Sequence, residues 1–243
     1  MPKEIDYQKS KNQKVFIYGN VEKPDVLVIS TTLNKREGDV LYERSLRKQT
    51  FENFLFCLTV GGTIAEGWNG GIQYAVDNSI PVVVITETDV VWNSKYLLEF
   101  MLKHLEEKSL VTLESESPAL CVIHTKNCLR FDPVISRTED TDWYERLKKH
   151  NIKIIKILDN TTFHRTQNIK SILKNIFWTA PLCNVYLVYS DAMKVKHLTG
   201  RAVFYTMKSV TSFFATFVGI FYKFLNRKKR QEFLRNERFR KSL

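Results

Sequence analysis

Short apolar runs alternate with longer segments of helical periodicity along most of this chain. The apolar runs have the length of buried strands and lie at 25–30, 54–60, 81–86, 120–124 and 152–158. The segments of helical character lie at 40–49, 69–78, 94–108 and 142–150. Strands that alternate with helices are typical of βαβ units. We therefore predict an α/β fold with a doubly wound, mainly parallel sheet, preceded by a loose polar segment at 1–13.

The positive charge of the chain is concentrated near its end. The formal net charge is +11, in a chain of 243 residues that is 44% hydrophobic and 26% charged. From Lys223 onward, nine Lys or Arg stand against two Glu, a net of +7, so the rest of the chain carries about +4. A nucleic-acid groove usually interleaves basic and aromatic residues across a folded surface. We therefore expect no nucleic-acid partner.

The sequence changes character after residue 168. Segments 169–178 and 203–225 are helical in pattern and rich in Phe and Tyr, and the second runs into Asn226-Arg-Lys-Lys-Arg230. An aromatic helix with cationic flanks is typical of a segment lying in a membrane interface. No run has the roughly 18 apolar residues of a spanning helix, and we recognise no signal peptide. We expect a cytoplasmic protein, peripheral on the cytoplasmic face of a membrane. A core helix with a solvated basic tail is the alternative.

The four cysteines have no CxxC spacing. Cys57 and Cys121 stand in apolar runs, which predicts reduced core residues. A zinc site built from Cys121, His124 and Cys128 is an alternative that the spacing leaves open; Cys183 stands apart.

An acid-x-acid pair, Glu87-Thr88-Asp89, directly follows the apolar run that ends near Thr86. Ligands of open α/β sheets bind at the carboxyl ends of the strands. Carboxylate oxygens suit Mg²⁺ or Mn²⁺, which usually take one or two protein carboxylates together with substrate phosphates. The pair therefore predicts a divalent cation, Mn²⁺ or Mg²⁺, and a diphosphate substrate. Acids that cap a helix or face water are the alternative.

Four blocks in a fixed order together resemble the family 2 glycosyltransferases, which have the GT-A fold. The first is the strand and turn at 26–35, and the second is the helix at 42–54 with its Ser-Leu, Gln-Thr and Asn-Phe pairs. The third is the Gly67-Trp-Asn-Gly70 helix leading into the acid pair, and the fourth covers 131–154. The resemblance spans about residues 25–165. It implies an N-terminal segment at 1–24, a GT-A domain at 25–168 and a helical, basic C-terminal region at 169–243.

The resemblance also implies the reaction and its residues. A sugar would move from a nucleotide-diphosphate donor to a hydroxyl of a glycan or lipid-linked glycan, with inversion. The expected base is Asp140, with Asp142 second and Glu139 third. The expected metal ligands are Asp89, Glu87 and His164. The residues expected to hold the nucleotide-sugar are Thr32, Asn34, Asn69, Gly70, Glu87 and Arg146.

Some residues depart from the family pattern or allow another interpretation. No acid follows the second strand, at 59–62, where the family usually has one that reads the nucleoside base. Glu139 and Asp140 could serve as helix caps, and Arg146 could be their ion-pair partner. Two other functions stay open. The Gly61–Glu66 turn could cradle a phosphate of a nucleotide-binding or N-glycoside-cleaving protein, or the basic tail could make a non-enzymatic membrane-surface protein.

Overall fold

The computed structural model describes residues 2–5, 13–113, 120–133, 139–158, 162–164 and 227–239. The strands in these ranges are Lys3–Ile5 (β1), Lys14–Tyr18 (β2), Val26–Thr32 (β3), Phe54–Val60 (β4), Val82–Thr86 (β5), Val90–Trp92 (β6), Ser109–Leu113 (β7), Leu120–His124 (β8), Lys153–Ile157 (β9) and Thr162–His164 (β10). The α-helices are Lys35–Arg44 (α1), Ile64–Asp77 (α2), Leu97–Lys103 (α3), Glu139–Lys149 (α4) and Arg227–Arg235 (α5).

Eight strands form one mixed sheet in the order β1-β2-β4-β3-β5-β8-β7-β9. The central strand β3 is parallel to both β4 and β5, and β7 is parallel to β9. The strands β2 and β8 run against their neighbours, so the other six share one direction. Strands β6 and β10 pair separately. The predicted α/β class with a mainly parallel sheet is confirmed.

Helices cover both faces of this sheet. Alternate residues of a strand point to opposite faces, so one strand contributes to the core on each side. Leu27 and Ile29 of β3 belong to the same buried cluster as residues of α2 and α4. Val26 and Val28 belong to the cluster that contains residues of α1 and α3. Apolar residues therefore occupy successive positions of β3, which explains why this strand reads as a continuous apolar run.

The N-terminal part of the chain contributes two strands that the sequence analysis did not anticipate. Residues 3–5 form β1 rather than loose chain, and β2 is antiparallel to β4. Val15 and Ile17 enter one core cluster, while Phe16 and Tyr18 enter the other. The apolar run of β2, residues 15–18, is too short to indicate a strand by itself. Its pairing with β4 stabilises it.

Two helices begin earlier than their apolar periodicity indicates. Helix α1 begins at Lys35 because the Asn34 side chain accepts a hydrogen bond from the N–H of Arg36 at 3.1 Å. Helix α2 begins at Ile64 behind the N-cap Thr63. Caps are local hydrogen bonds, so the helix start follows the cap and not the first core-facing residue.

The chain divides into two compact units: positions 132–139 and 166–236 form the second, and the first contains the sheet. The described part of the second unit includes α5, whose first turns carry the basic run. Segments 169–178 and 203–225, and the predicted boundary at residue 168, lie outside the described residues. Within the described ranges, no helix combines the length and the apolar character that crossing a membrane requires.

The three cysteines that the structure describes, Cys57, Cys121 and Cys128, are buried free thiols, as predicted for Cys57 and Cys121. Burial raises the pKa of the Cys57 thiol to about 12. Because the thiolate is the reactive form, only on the order of one thiol in 10⁴ is ionised at pH 8. We expect iodoacetamide at pH 8 to leave Cys57 unmodified in the native protein and to modify it fully in urea. Mass spectrometry of the Cys57 peptide measures this, and rapid native labelling would contradict its burial.

Candidate active site

The candidate site lies between β3 and β5, two neighbouring strands from which the chain continues toward opposite edges of the sheet. From β3 the chain passes through α1 to β4 on one side, and from β4 it passes through α2 to β5 on the other side of β3. The carboxyl ends of β3 and β5 are therefore adjacent at a topological switch point. Open α/β sheets bind their ligands in the crevice outside such a point.

Polar side chains at the end of β3 are tied to the first turn of α1. The Thr32 hydroxyl donates to the Glu37 carboxylate at 2.7 Å and accepts from the N–H of Asn34 at 3.1 Å. Thr32 is buried, while Asn34 and Glu37 are exposed. The structure thus places the two predicted nucleotide contacts, Thr32 and Asn34, in one hydrogen-bonded group at the switch point.

The acid pair follows β5 and reaches the same group. Glu87, Thr88 and Asp89 are half-buried in a turn whose Val90 N–H donates to the Glu87 carbonyl at 3.3 Å. The Thr88 hydroxyl lies 3.5 Å from the Glu37 carboxylate oxygen that also accepts from Thr32. Glu87 and Asp89 therefore flank a residue that shares the Glu37 carboxylate of α1 with Thr32, at the end of β3.

Trp92 of β6 stabilises the Glu87–Asp89 turn through two hydrogen bonds. The buried indole N–H of Trp92 donates to the Thr86 hydroxyl at 3.3 Å, and the Trp92 main-chain N–H donates to the Ser45 hydroxyl at 3.2 Å. A tryptophan held at both of these donors fixes the strand that follows the turn. The acid pair thus lies in a turn between β5 and β6 that Trp92 links by these hydrogen bonds.

His164 reaches this region through its main chain. Strand β10 is antiparallel to β6, and His164 stands opposite Val90, the residue that follows Asp89. Paired residues of antiparallel strands have Cα atoms about 4.5–5.5 Å apart. The backbone therefore brings His164 beside the acid pair, and its role as a metal ligand stays a prediction because its side chain lies outside the described part.

The acid pair is the predicted cation site, and its occupancy by Mn²⁺ or Mg²⁺ stays a prediction. Among the described residues there is no group of three or more His, Cys, Asp or Glu placed to hold a metal ion. This also fails to support the zinc alternative at Cys121, His124 and Cys128. Mg²⁺ is commonly held by one or two carboxylates plus substrate phosphates, and Glu87 with Asp89 supply such a pair.

The sequence analysis missed Glu37 as a member of this site. Helix α1 was predicted to begin at residue 40, which left Glu37 in a loop. With Asn34 as the N-cap, Glu37 is the third helical residue, where acids are common because they favour the helix N-terminus. An Asn followed three residues later by Glu was the signal that could have located it.

The predicted acceptor-side acids stand on α4 and have different surroundings. Burial raises the pKa of the Cys121 thiol to about 12, and the nearby Asp140 carboxylate contributes to that rise. Cys121 pairs with Ile85, near the end of β5. Asp140 thus acts electrostatically on a residue of β8, the strand next to β5, and its role as the base stays a prediction. The side chain of Glu139 lies outside the described residues.

Asp142 and Arg146 instead form a buried ion pair. The Arg146 Nε donates to Asp142 Oδ2 at 2.8 Å, with side-chain exposures of 5% and 15%. Arg146 is therefore a buried ion-pair partner of an acid on its own helix and not a surface helix residue. The roles of Asp140, Asp142 and Glu139 as the base stay predictions.

Asn69 and Gly70 occupy α2 in different settings. The Asn69 amide donates to the Phe131 carbonyl at 2.8 Å and accepts from the Phe131 N–H at 2.7 Å. Its side chain thus holds the segment before Asp132, and its nucleotide contact stays a prediction. Gly70 has open space around it, with the Gln13 amide oxygen 3.6 Å from the position of an added Cβ.

Aromatic rings pack beneath this segment. Phe131 lies between Trp68 and Trp143, with ring centroids 4.7 Å away on each side, and the Trp143 indole donates to the Leu129 carbonyl at 2.6 Å. Both tryptophans are buried. Their burial makes them packing residues rather than platforms for a sugar.

The Gly61–Glu66 turn is closed by its own helix cap. The Glu66 carboxylate accepts from the Thr63 N–H at 2.9 Å, and the Thr63 hydroxyl accepts from the Glu66 N–H at 3.2 Å. Gly61 and Gly62 have φ of 94° and 72°, which only glycine adopts easily. This capping box accounts for the residues of the turn, including the acid that the N-glycoside alternative requires.

Comparisons with known proteins add little to this geometry. No family model matches the chain, and no curated protein sequence matches it. A solved structure from Desulfovibrio desulfuricans G20 is similar over 56% of this chain and 80% of its own, with a TM-score of 0.40 and 11% identity. Its name, nucleotide-diphospho-sugar transferase, is itself provisional. A similarity at this level carries no argument, so the function has to be inferred from the site.

Proposed function

We propose that this protein is a glycosyltransferase that moves a sugar from a nucleotide-diphosphate donor to a hydroxyl acceptor. The observation that carries the proposal is the contact through Glu37 of α1, whose carboxylate accepts from Thr32 at the end of β3 and lies 3.5 Å from Thr88, which follows β5. This contact gathers hydroxyl, amide and carboxylate groups at the switch point, where nucleotides bind in such sheets.

The donor would bind through both halves of this group. Thr32 and Asn34 would contact the nucleotide, and Asp89 with Glu87 would hold the cation that accompanies the diphosphate, with His164 as a further ligand. When bound, a divalent ion acts as a Lewis acid that neutralises the leaving diphosphate. The protein's share is to hold the acid pair in one geometry through the turn that Trp92 fastens.

The acceptor would be activated by Asp140. A carboxylate within hydrogen-bond reach takes the proton of the acceptor hydroxyl as its oxygen bonds to the anomeric carbon. The bond from that carbon to the diphosphate oxygen breaks on the opposite side, so one displacement inverts the anomeric centre. Asp142 is occupied by Arg146, and we therefore assign it to the structure of α4.

The acceptor is proposed to be a glycan, or a glycan on a lipid carrier at the cytoplasmic face of a membrane. Helix α5 supports the membrane part because its exposed residues include Lys228, Lys229 and Arg235, with Leu234 at 40% exposure. Cations beside an anionic leaflet contribute about 1 kcal/mol each. Arg230 is partly exposed and lies 3.7 Å from buried Asp132.

A thermal-shift titration with UDP, GDP and dTDP, each with and without Mn²⁺, tests the donor site. A ligand present at 100 times its Kd stabilises the native state by about 2.7 kcal/mol, which corresponds to roughly 5–10 °C for a chain of this size. We expect one nucleotide to produce this shift only when Mn²⁺ is present. Asp89→Ala should abolish the shift because the cation loses its principal ligand.

A matched control separates the site from general loss of charge. Glu43 is an exposed acid on α1 that pairs with Arg47 at 2.8 Å, away from the switch point. The Glu43→Ala variant should keep the full nucleotide shift. The proposal fails if no nucleoside diphosphate stabilises the wild type, or if Asp89→Ala responds as the wild type does.

A further inference from the structure

Glu237 joins the end of the chain to α4 across 91 residues of sequence. One oxygen of its carboxylate accepts from Arg146 Nη1 at 3.2 Å, and the other lies 2.6 Å from His150 Nε2. The Glu237 side chain is 15% exposed. The carboxylate is therefore inserted between two basic side chains, Arg146 of α4 and His150, the residue that directly follows α4.

Main-chain contacts hold the same segment, residues 237–239, which we call the C-terminal strap. The Glu237 carbonyl accepts from the N–H of Arg130 at 2.7 Å, and Arg238 forms a β-bridge with Leu129. The Arg130 guanidinium lies 5.5 Å from the centroid of the Phe239 ring. The C-terminal strap is thus attached to the residues just before Phe131 by main-chain contacts as well as by side chains.

Arg146 connects the strap to the predicted acceptor side. Its guanidinium donates to Glu237, to Asp142 at 2.8 Å and to the Arg130 carbonyl at 2.8 Å. A guanidinium is planar, so its donors point in fixed directions and cannot adjust independently. Loss of one carboxylate would reorient the group. That reorientation would act on Asp142, which stands two residues after Asp140.

We propose that Glu237 is a positioning residue, which holds Arg146 and thereby sets the place of the first turn of α4, with Asp140, in the site. The catalytic half of this inference rests on the proposed function, whereas its structural half does not. Only Asn236 separates Glu237 from α5 in sequence. The same strap therefore connects, along the chain, the segment proposed to bind a membrane with the helix proposed to activate the acceptor.

Hydrogen exchange measured by mass spectrometry on the full-length protein tests the structural half. The Glu237→Gln variant keeps the shape of the side chain and removes its charge. We expect exchange in peptides covering 139–150 to become about tenfold faster, the size of effect given by a lost hydrogen bond to a charged group. Glu232→Gln is the matched control, because Glu232 is an exposed acid on α5. The inference is overturned if Glu237→Gln exchanges as Glu232→Gln does.

Kinetics test the catalytic half of the inference, because a purely structural attachment through Glu237 would not change the reaction rate. The probes are UDP-glucose, GDP-mannose and dTDP-glucose with Mn²⁺ and with water as the acceptor, and the nucleoside diphosphate formed by hydrolysis is measured. We expect Glu237→Gln to bind the nucleotide-sugar within about twofold of the wild type and to form the nucleoside diphosphate about tenfold more slowly. Glu237→Asp, which retains the charge, should recover part of the rate.

The outcomes distinguish the two proposals. Equal rates of hydrolysis by Glu237→Gln and wild type, with faster exchange in α4, would overturn the positioning role and leave only a structural attachment. Absence of nucleotide binding and hydrolysis in the wild type would overturn the proposed function, while the exchange result would still decide whether Glu237 holds α4.

Discussion

Asp140→Asn is expected to lower the rate of sugar transfer by about 10²–10⁴-fold, the usual contribution of a positioned general base. Asn keeps the size and polarity of the side chain but cannot take the proton of the acceptor hydroxyl. The donor site is made by the ends of β3 and β5, so the nucleotide affinity should stay within about twofold of the wild type. The rate of nucleoside diphosphate release and the calorimetric Kd measure the two effects separately.

Asp142→Asn is the matched comparison two residues away, and it should behave differently. The Nε of Arg146 would lose a charged acceptor at 2.8 Å in a place where the guanidinium is 5% exposed. A lost hydrogen bond to a charged group costs about 1.5–3 kcal/mol, so urea unfolding should show reduced stability. If Asp142→Asn loses sugar transfer but is as stable as the wild type, the assignment of the base to Asp140 is wrong.

Gly67→Ala is expected to lower the free energy of unfolding by about 2–3 kcal/mol, as overpacking in a close-packed interior does. A Cβ at this position would meet the Thr31 hydroxyl, and it would stand 2.6 Å from the Thr59 hydroxyl oxygen. Thr31 and Thr59 are paired neighbours on β3 and β4. Neither threonine can move away without moving the sheet, so α2 would have to shift away from β3 and β4.

Gly70→Ala, less than one turn along the same helix, should have the opposite effect. The nearest atoms to an added Cβ are 3.6 and 4.0 Å away, which is ordinary contact distance. Replacing a helical glycine by alanine then gains about 0.5–1 kcal/mol through the lower entropy of the unfolded chain. Urea denaturation followed by tryptophan fluorescence measures both variants. Equal stabilities for the two would contradict the close approach of α2 to β3 at Gly67.

Much of the fold could be predicted because the central strands are buried on both faces. A strand such as β5 reads as an unbroken apolar run, and that run ends where the acid pair begins. The pattern therefore placed Glu87 and Asp89 correctly at the carboxyl end of a strand. The edge strand β1 was missed because it is only three residues long and largely exposed, so its alternation carries almost no signal.

The candidate site was only partly predictable, because its decisive contacts join residues far apart in sequence. Nothing in the local pattern around Arg146 indicates Glu237, which is 91 residues away. The contact of the Asn69 amide with the main chain of Phe131, 62 residues away, is likewise not indicated by the local sequence. Glu37 was missed for a local reason, since its helix was predicted to begin too late.

The central claim is that a nucleoside diphosphate and a divalent cation bind together at the switch point. Electron paramagnetic resonance of Mn²⁺ tests it most directly, because the free ion has a strong signal that weakens when the ion binds. With the nucleotide that stabilises the fold present, the wild type should take up one Mn²⁺ beyond what the nucleotide alone binds, and Asp89→Ala should take up none. Equal Mn²⁺ uptake by the two proteins, or none by either, would contradict the claim.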